Sequence, residues 1–377
     1  MIIQSKRVYF EEKLQALQIK IEGQIIKDIY KYNQFKVDVD YGDDIIMPGL
    51  IDIHNHGYNF NDNNHATIKW LKEWTSYLPS EGVTSTMATI STSPKDSLLV
   101  ALNNIGEYIE GKHNGTAILG VYEEGPFISE KYRGAQEWKY HIVPNKKVID
   151  EFNKACKGNL KIVMLAPEML KGNYDVIDYC RFKNINVTIG HSGATFDECA
   201  EAIKHGVRSF THTYNGMKGL HHREPGTVGA AMYFDDCYAE CICDGVHTHY
   251  AAANILAKTK GKDKLILVTD SIAMKGLPVG EYKTKTGQSR FVCEDNVCRL
   301  EDGTLSGSCN KLNLVLKYAI NKANIDLVTA LNAVTINPAR MLGANDRGLI
   351  QKGYRADIAV FDKDFNNIAT YIGGKKW

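Results

Sequence analysis

Histidines and carboxylates recur in this sequence at the points where short apolar runs end. Six such residues stand out: His54, His56, Glu124, His191, His212 and Asp270. Side chains two residues apart on a strand share a face, so His54 and His56 can both reach one cation. Four imidazoles and two carboxylates form a nitrogen and oxygen ligand set that suits zinc, iron, manganese or a similar divalent ion. The pattern therefore predicts a metal site that holds one or two ions.

Asp270 allows three interpretations. In Thr269-Asp270-Ser271 it could cap the start of a helix, it could be only a metal ligand, or it could bind metal and also move protons. Hydrolysis needs a base to take a proton from water and an acid to protonate the leaving group, and one carboxylate can do both. Because the other ligand-type residues accompany it, we predict that Asp270 is the catalytic residue.

Polar loops that follow the same apolar runs supply candidate substrate-binding residues. The candidates are Asn215, Gly216, Arg223, His247, Ser306 and Gly307. The planar guanidinium of Arg223 suits a fixed anion such as a phosphate, and His247 could orient a substrate oxygen. Glycine-rich loops with an arginine are also common surface turns, and a lone histidine is often structural. The interpretation of these residues therefore depends on the metal cluster beside them.

The elements that must position these side chains follow a repeated order of apolar strand, loop and amphipathic helix from Met47 onward. Strands are predicted at residues 50–54, 83–89, 117–122, 161–165, 185–189, 209–213, 238–243 and 265–269. Helices are predicted at residues 68–78, 95–110, 195–205, 250–258, 311–323 and 327–334, with a weaker pattern at 167–183. Eight strands with intervening helices indicate an α/β fold, a (β/α)8 TIM-type barrel, in which the C-terminal strand ends converge on one mouth.

Two terminal segments do not follow the barrel pattern. Residues 1–46 and 343–377 alternate apolar and polar residues as strands do, and we predict that they fold together as a small β-sandwich domain. The catalytic barrel then spans residues 47–342. A polar, turn-rich stretch at residues 280–305 interrupts the barrel pattern and is predicted to be a hairpin insertion.

Composition and charge exclude several classes of protein. With 44% hydrophobic residues the chain has ample apolar surface to bury, so it is not mainly disordered. The 45 Lys and Arg residues balance 44 Asp and Glu residues, so neither nucleic acid nor an anionic membrane meets a large basic surface. No apolar run approaches the roughly 20 residues that span a bilayer. The nine cysteines form no CxxC pair and the N-terminus lacks the apolar core of a signal peptide, so we expect a cytoplasmic protein with reduced cysteines.

Eight short motifs resemble those of one known family, in the same order. They are PGLIDIHNHG, EGPF, GHSGAT, THTYNGM, REPGT, DGVH, VTDS and LSGS. Together they are similar to motifs of the N-acetylglucosamine-6-phosphate deacetylases, which belong to the amidohydrolase superfamily, and the C-terminal GLIQKGYRADIAVFD resembles that superfamily's closing β-segment. The resemblance covers nearly the whole chain. It implies metal-dependent removal of the acetyl group from N-acetylglucosamine 6-phosphate in amino sugar catabolism.

The resemblance also implies a role for each ligand-type residue. Glu124, His191 and His212 match the ligands of the main metal site. His54 and His56 match a pair that many amidohydrolases use for a second ion, and their presence favours two ions. Asp270 in turn matches the family's catalytic aspartate.

Substrate-binding positions are implied in several loops. They are Gln136, Asn215, Gly216, Arg223, His247, Leu305, Ser306 and Gly307. Gln136 stands where some members have a histidine, and Gly216 stands where alanine is common. Family members are usually homodimers, and the partner subunit can supply part of the phosphate site, so we expect a homodimer.

Three other functions remain as alternatives. The first is deacetylation of the 4-epimer, N-acetylgalactosamine 6-phosphate, which close relatives handle. The second is another amidohydrolase activity, dihydroorotase-like or dipeptidase-like, but such enzymes usually carry a carboxylated lysine, and Glu124 takes that place here. The third is a non-enzymatic scaffold or sugar sensor, which loss of a ligand or of the catalytic acid would indicate. None of these residues is lost.

Overall fold

The computed structural model describes residues 1–284 and 287–377. The strands, in chain order, are β1 Ile2–Phe10, β2 Lys13–Glu22, β3 Ile25–Lys31, β4 Val39–Asp40, β5 Ile45–Pro48, β6 Leu50–Asp52, β7 Gly57–Tyr58, β8 Asn61–Asp62, β9 Val83–Ser91, β10 Ala117–Glu124, β11 Leu160–Leu165, β12 Asn186–Ile189, β13 Val207–Phe210, β14 Tyr238–Cys241, β15 Leu265–Leu267, β16 Gly280–Lys283, β17 Ser289–Val292, β18 Val297–Arg299, β19 Leu305–Ser308, β20 Ile358–Phe361, β21 Asn367–Ile372 and β22 Lys375–Lys376.

Helices separate most of the strands in the middle of the chain. The α-helices are α1 Ile68–Tyr77, α2 Lys95–Glu110, α3 Lys146–Ala155, α4 Asp175–Phe182, α5 Phe196–His205, α6 Gly226–Tyr233, α7 Tyr250–Lys264, α8 Leu312–Asn321, α9 Leu327–Ala333 and α10 Ile336–Leu342. Short 3-10 helices lie at Asn63–His65, Leu78–Glu81, Glu130–Tyr132, Trp138–Tyr140 and Pro167–Leu170. In the described part of the chain, no helix is both long enough and apolar enough to cross a membrane.

The middle of the chain forms the predicted barrel. Within the described residues, eight parallel strands lie side by side in the order β6, β9, β10, β11, β12, β13, β14 and β15. Beyond the ends of β6 and β15, a parallel bridge joins Asn55 to Ser271, and Asp270 N donates to His54 O at 2.9 Å. All eight predicted strands are present, with ends shifted by a few residues. The barrel is therefore confirmed as a nearly closed one.

Alternating side chains fill the inside of this barrel. The inward cluster includes Ile51, Ile53, Met87, Tyr122, Ile162, Met164, Ile242, Ile266 and Val268. These residues are buried, so the barrel encloses a packed core, as expected of this architecture. A ligand can therefore reach only the loops at the strand ends.

Three helices were not predicted from the sequence, and α6 shows why. Its sequence GTVGAAMY is almost entirely buried, so it has no polar face and no amphipathic period. The predicted α5 is confirmed, and a capping box between Thr195 and Glu198 fixes its start. The other two unpredicted helices are α3 and α10.

Both ends of the chain share one sheet beside the barrel. Its strands lie in the order β22, β21, β20, β5, β1, β2 and β3, and β4 pairs with β1. Strand β5 pairs antiparallel with β20, so the N-terminal and C-terminal segments fold together as predicted. Strand β5 extends past the predicted boundary between residues 46 and 47. The limits of the two domains remain a prediction.

The predicted hairpin insertion is a four-stranded antiparallel sheet, β16 to β19. Residues 285 and 286, which fall in the predicted stretch 280–305, lie outside the described residues. Strand β19 returns to the barrel mouth, where Ser308 N donates to Asp270 O at 3.0 Å and Ile272 N donates to Ser308 O at 3.1 Å. The insertion thus attaches Leu305–Ser308 directly to the segment that carries Asp270.

Candidate active site

The C-terminal ends of the barrel strands bring a first group of ligand-type side chains together. Glu124 is the last residue of β10, and His191 and His212 each lie two residues beyond a strand, β12 and β13. The Nε2 atoms of the two histidines are 3.2 Å apart, and each is 3.0 Å from Oε1 of Glu124. All three residues are buried. Among the described residues, they form one of two clusters whose spacing could hold a metal ion.

A second cluster lies beside the first. It consists of His54 and His56, just beyond β6, and Asp270, just beyond β15. The two Nε2 atoms are 3.2 Å apart, and Oδ1 of Asp270 lies 3.4 Å from the first and 3.2 Å from the second. Glu124 joins the clusters, because its Oε2 lies 3.3 Å from Nε2 of His56. Asp270 does not begin a helix, so the interpretation as a helix cap is wrong.

The protons on two histidine rings indicate what these clusters require. Nδ1 of His191 lies 2.7 Å from the carbonyl oxygen of Tyr132. Because a carbonyl only accepts, Nδ1 carries a proton, so Nε2 is the nitrogen that can present a lone pair to a metal ion. Nδ1 of His54 likewise faces the carboxylate of Glu240 at 2.9 Å. Whenever Nε2 is unprotonated, its lone pair faces carboxylate oxygens, so the site needs a positive charge there, either a proton or a cation. The donor set therefore fits divalent cations.

The pKa values of the histidines and of Glu124 also show that the site favours positive charge. Burial lowers the pKa of His54, but the carboxylates of Asp270 and Glu240 outweigh burial and raise it to about 9. Burial also opposes protonation of His56, yet Glu124 and Asp270 raise its pKa to about 10. Burial favours the neutral form of Glu124, but His56 and the other imidazoles hold its pKa well below the usual range. A cation at this site would replace the protons that the carboxylates attract.

Three of the ligand-type residues adopt a backbone conformation that side chains disfavour. The φ angles of His191, His212 and Asp270 are 44°, 28° and 47°, all in the left-handed region. Each such residue costs on the order of 1–3 kcal/mol, and strain of this kind concentrates at functional sites. The strained backbone lowers the stability of the fold and orients these three side chains toward the clusters.

A cavity of about 420 Å³ opens above the two clusters. Most of the predicted site residues line it: His56, Glu124, Gln136, His191, His212, Asn215, Gly216, His247, Asp270, Leu305, Ser306 and Gly307. His54 lies behind them and is fully buried. The volume suits a small organic ligand. Gly216 allows its loop to lie close to the ring of His191, since a Cβ at residue 216 would lie 2.8 Å from Nδ1 of His191.

His247 is oriented toward the cavity by a carboxylate. Its Nδ1 lies 2.6 Å from Oδ2 of Asp244, whose Oδ1 accepts from the backbone N of His247 at 2.8 Å. Nε2 of His247 is buried and has no partner among the described residues. A fixed ring with one unused nitrogen in a cavity wall can bind a polar group of a ligand.

Gln136 lines the cavity, but its amide already has protein partners. Oε1 accepts from Thr92 N at 3.0 Å, and Nε2 donates to the carbonyl oxygen of Glu124 at 3.1 Å. The side chain therefore holds the backbone of a ligand-type residue. This arrangement favours a positioning role for Gln136 over the direct substrate contact expected from the sequence.

The two arginines near the site differ in their placement. Arg223, predicted to bind an anion, is exposed and lies outside the lining of its own chain's cavity. Arg290 on β17 is half-buried and does line the cavity. Burial lowers the pKa of Arg290, and its Nη1 donates to the carbonyl oxygen of Ser289 at 3.4 Å. Sequence reasoning missed Arg290 because its strand was interpreted as part of a surface insertion.

Two buried carboxylates behind the ligands were also missed. Asp52 accepts from the hydroxyl of Thr269 at 2.6 Å and from Nδ2 of Asn55 at 3.1 Å. Glu240 lies on β14 and contacts His54. The available signal was an acidic residue within an otherwise apolar strand, which is costly to bury unless the carboxylate has a partner.

Comparison with known proteins places the chain in a class. The sequence model described as the amidohydrolase family matches residues 45–376. The chain belongs to the amidohydrolase family, and it is an amide hydrolase. The barrel and the two ligand clusters at its mouth are consistent with that class.

Within that class, the chain is similar to deacetylases of amino sugar phosphates. It is 35% identical over 336 residues to the N-acetylglucosamine-6-phosphate deacetylase of Bacillus subtilis, covering 88% of this chain and 84% of that protein. It is 29% identical to the N-acetylgalactosamine-6-phosphate deacetylase of Escherichia coli O157:H7, covering 99% and 98%. The fold matches a variant of the Mycobacterium smegmatis N-acetyl-D-glucosamine-6-phosphate deacetylase solved with N-acetyl-D-glucosamine 6-phosphate, with a TM-score of 0.93, 26% identity and coverage of 100% and 98%.

Proposed function

We propose that this protein hydrolyses the N-acetyl group of N-acetyl-D-glucosamine 6-phosphate, giving D-glucosamine 6-phosphate and acetate, in amino sugar catabolism. The observation that carries the proposal is the pair of buried ligand clusters at the floor of a cavity, with Asp270 in both the cluster and the cavity wall. The named relatives supply the substrate class, since several are N-acetylglucosamine-6-phosphate deacetylases.

Two divalent ions fit the two clusters. Glu124, His191 and His212 would hold one, and His54, His56 and Asp270 would hold the other. Zinc, iron and manganese are all compatible with these nitrogen and oxygen donors. When bound, such ions polarise a carbonyl oxygen and lower the pKa of water toward about 7.

Asp270 is proposed to carry the proton in both halves of the reaction. Its carboxylate lies at the cavity surface, with a side chain that is 14% exposed. It takes a proton as the water oxygen attacks the acetyl carbon, and it returns that proton to the amide nitrogen as the C–N bond breaks. The acetyl carbon gains the water oxygen with its remaining proton and leaves as acetic acid, which ionises to acetate and releases that proton to solvent. The sugar keeps a neutral amine. Without the returned proton, the amine would be a poor leaving group.

The phosphate of the substrate requires cationic or hydrogen-bonding groups at the far end of the cavity. His247 and the half-buried Arg290 line that cavity and can meet an anion in the same chain. Arg223 is exposed, so it would contribute to the cavity of a partner subunit. We therefore propose a homodimer in which each subunit completes the other's phosphate site. The cytoplasm is the compartment that suits nine free cysteines.

A substrate panel tests this proposal. The purified protein with bound metal should release acetate from N-acetylglucosamine 6-phosphate, and far more slowly from unphosphorylated N-acetylglucosamine. N-acetylgalactosamine 6-phosphate belongs in the panel, because one relative of nearly equal length acts on that sugar by name. A higher kcat/KM for the galacto substrate would overturn the gluco assignment, and equal rates with and without the phosphate would overturn the phosphate site.

A further inference from the structure

A carboxylate on the seventh barrel strand has no role in the reaction described so far. Glu240 lies on β14 and is fully buried, and its side chain points into the barrel below the two clusters. In the described part of the chain, no lysine or arginine forms an ion pair with it, and His54 is its ion-pair partner. A buried carboxylate without a cation costs several kcal/mol. Its retention in the core therefore calls for a specific function.

One oxygen of Glu240 contacts a residue of each cluster. Oε2 lies 2.9 Å from Nδ1 of His54 and accepts from the backbone N of His212 at 3.1 Å. The carbonyl oxygen of Glu240 also accepts from Thr213 N at 2.8 Å. The other carboxylate oxygen, Oε1, is buried and has no hydrogen-bond partner among the described residues. The backbone of His212 is thus held at the point where its φ angle of 28° needs support.

The Nδ1 atoms of the ligand-type histidines face away from the clusters, and their hydrogen-bond partners differ. Nδ1 of His191 has a backbone carbonyl as its partner, and Nδ1 of His212 has no partner among the described residues. Nδ1 of His54 faces a carboxylate, which is the stronger acceptor. A carboxylate at this position fixes the tautomer and the ring orientation of a ligand histidine.

We propose that Glu240 is the positioning residue of the second ion, because it fixes the His54 ring with Nε2 aimed at His56 and Asp270. The inference rests on the proposed function, since it assumes that the clusters bind metal. Glu240 does not touch the substrate cavity. Its effect passes through His54, and its negative charge offsets part of the charge of the ions.

Zinc binding separates this role from a general structural one. Metal-free wild type and the isosteric Glu240→Gln variant are titrated with Zn²⁺ in chelator buffers, and bound zinc per chain is counted by elemental analysis. We expect wild type to bind two ions. The variant should bind the first normally and the second 10- to 100-fold more weakly, the range found for such partners of ligand histidines. Glu123→Gln is the matched control, because Glu123 is also a buried carboxylate but has no described partner. It should bind both ions as wild type does.

Two results with Glu240→Gln would contradict the positioning role of Glu240. Wild-type affinity for both ions in Glu240→Gln would overturn it, and so would an equal loss of both. If the glutamine variant does not fold, Glu240→Asp serves. The shorter side chain withdraws the oxygen from both Nδ1 of His54 and the backbone N of His212, and the second ion should still weaken more than the first, because only His54 loses the partner of its ring. In a His54→Asn background, Glu240→Gln should have no further effect on the second ion. A wild type that binds no zinc and releases no acetate would instead contradict the proposed function itself.

Discussion

Asp270 shows how the surroundings of one side chain decide its chemistry. Burial alone would favour its neutral form, but the imidazoles of His54 and His56 hold the pKa of its carboxyl below the usual range. It is therefore ionised when the reaction begins and available to accept a proton. Its position at the boundary between cluster and cavity is the reason we assign it both proton transfers.

Replacement of Asp270 by asparagine is expected to abolish proton transfer while preserving size. The kcat should fall by roughly 10²–10⁴-fold, the usual contribution of a general acid–base group. The KM should change far less, because other cavity residues bind the sugar and the phosphate. Steady-state kinetics on the variant with its metal content verified is the measurement. A near-normal kcat would make Asp270 a ligand only.

Glu123 gives a second prediction at the residue scale, on stability. It is fully buried, neither carboxylate oxygen has a partner among the described residues, and burial raises its pKa well above the usual range. The folded protein keeps this proton while the unfolded chain releases it above a pKa of about 4.3. The contribution of Glu123 to wild-type stability should therefore be greatest below that pH and should fall as pH rises.

The Glu123→Gln variant isolates this effect, because glutamine does not titrate. The free energy of unfolding of wild type relative to the variant should fall between pH 5 and 8, by up to about 1.4 kcal/mol per pH unit until the folded-state pKa is passed. Denaturant titrations at several pH values measure the difference, and the other titrating groups cancel in it. A difference that does not change with pH would show that Glu123 is ionised in the folded protein.

At the scale of elements, the segment after β15 is held by a buried ion pair. Nζ of Lys275 lies 2.8 Å from the carboxylate of Glu81, and both side chains are almost fully inaccessible. The same carboxylate accepts from Leu312 N, at the start of α8, at 3.2 Å. The pair therefore ties the Asp270 segment to the 3-10 helix Leu78–Glu81 and to α8.

Removing one partner of this pair should destabilise the protein more than removing both. Lys275→Met leaves an unpaired buried carboxylate and should cost about 3–5 kcal/mol, as should Glu81→Gln, which leaves an unpaired ammonium. The double variant should cost less than the sum of the single variants. Unfolding free energies of all four proteins complete the cycle. Additive costs would show that the pair does not act as a unit.

The success of sequence reasoning differed between elements for physical reasons. The barrel strands and α2 were predictable because their apolar period is regular, and the ligand residues were visible because they follow those strands. Helix α6 is buried over its first six residues and gave no amphipathic period. Glu240 and Arg290 could not be given roles from sequence, because only the fold brings Glu240 to His54 and Arg290 to the cavity.

At the scale of the whole molecule, the proposed homodimer assigns the exposed Arg223 to the site of a partner subunit. If Arg223 acts on a partner subunit, Arg223→Ala should raise KM for the 6-phosphate substrate by roughly 10- to 150-fold, from the loss of a charge-assisted contact. Unphosphorylated substrate should be little affected. Equal weakening of both substrates would make Arg223 a structural residue.

Mixed dimers test whether the contact crosses between subunits. Arg223→Ala and Asp270→Asn chains are mixed, dissociated and allowed to re-pair. Random pairing makes half of the dimers mixed, and each mixed dimer has one site with both residues intact, so about a quarter of wild-type activity should return at low substrate concentration. No recovery in verified mixed dimers would mean that Arg223 serves its own chain or none.

The central claim is that ions held by the two clusters support deacetylation of N-acetylglucosamine 6-phosphate. The most direct measurement is acetate release from that substrate by chelated protein as zinc, iron(II) or manganese(II) is added back. We expect no release from the metal-free protein and a rate that rises with bound ion to a plateau, with one amino sugar phosphate formed per acetate. Full activity after complete chelation, or no acetate from the fully loaded protein, would contradict the account.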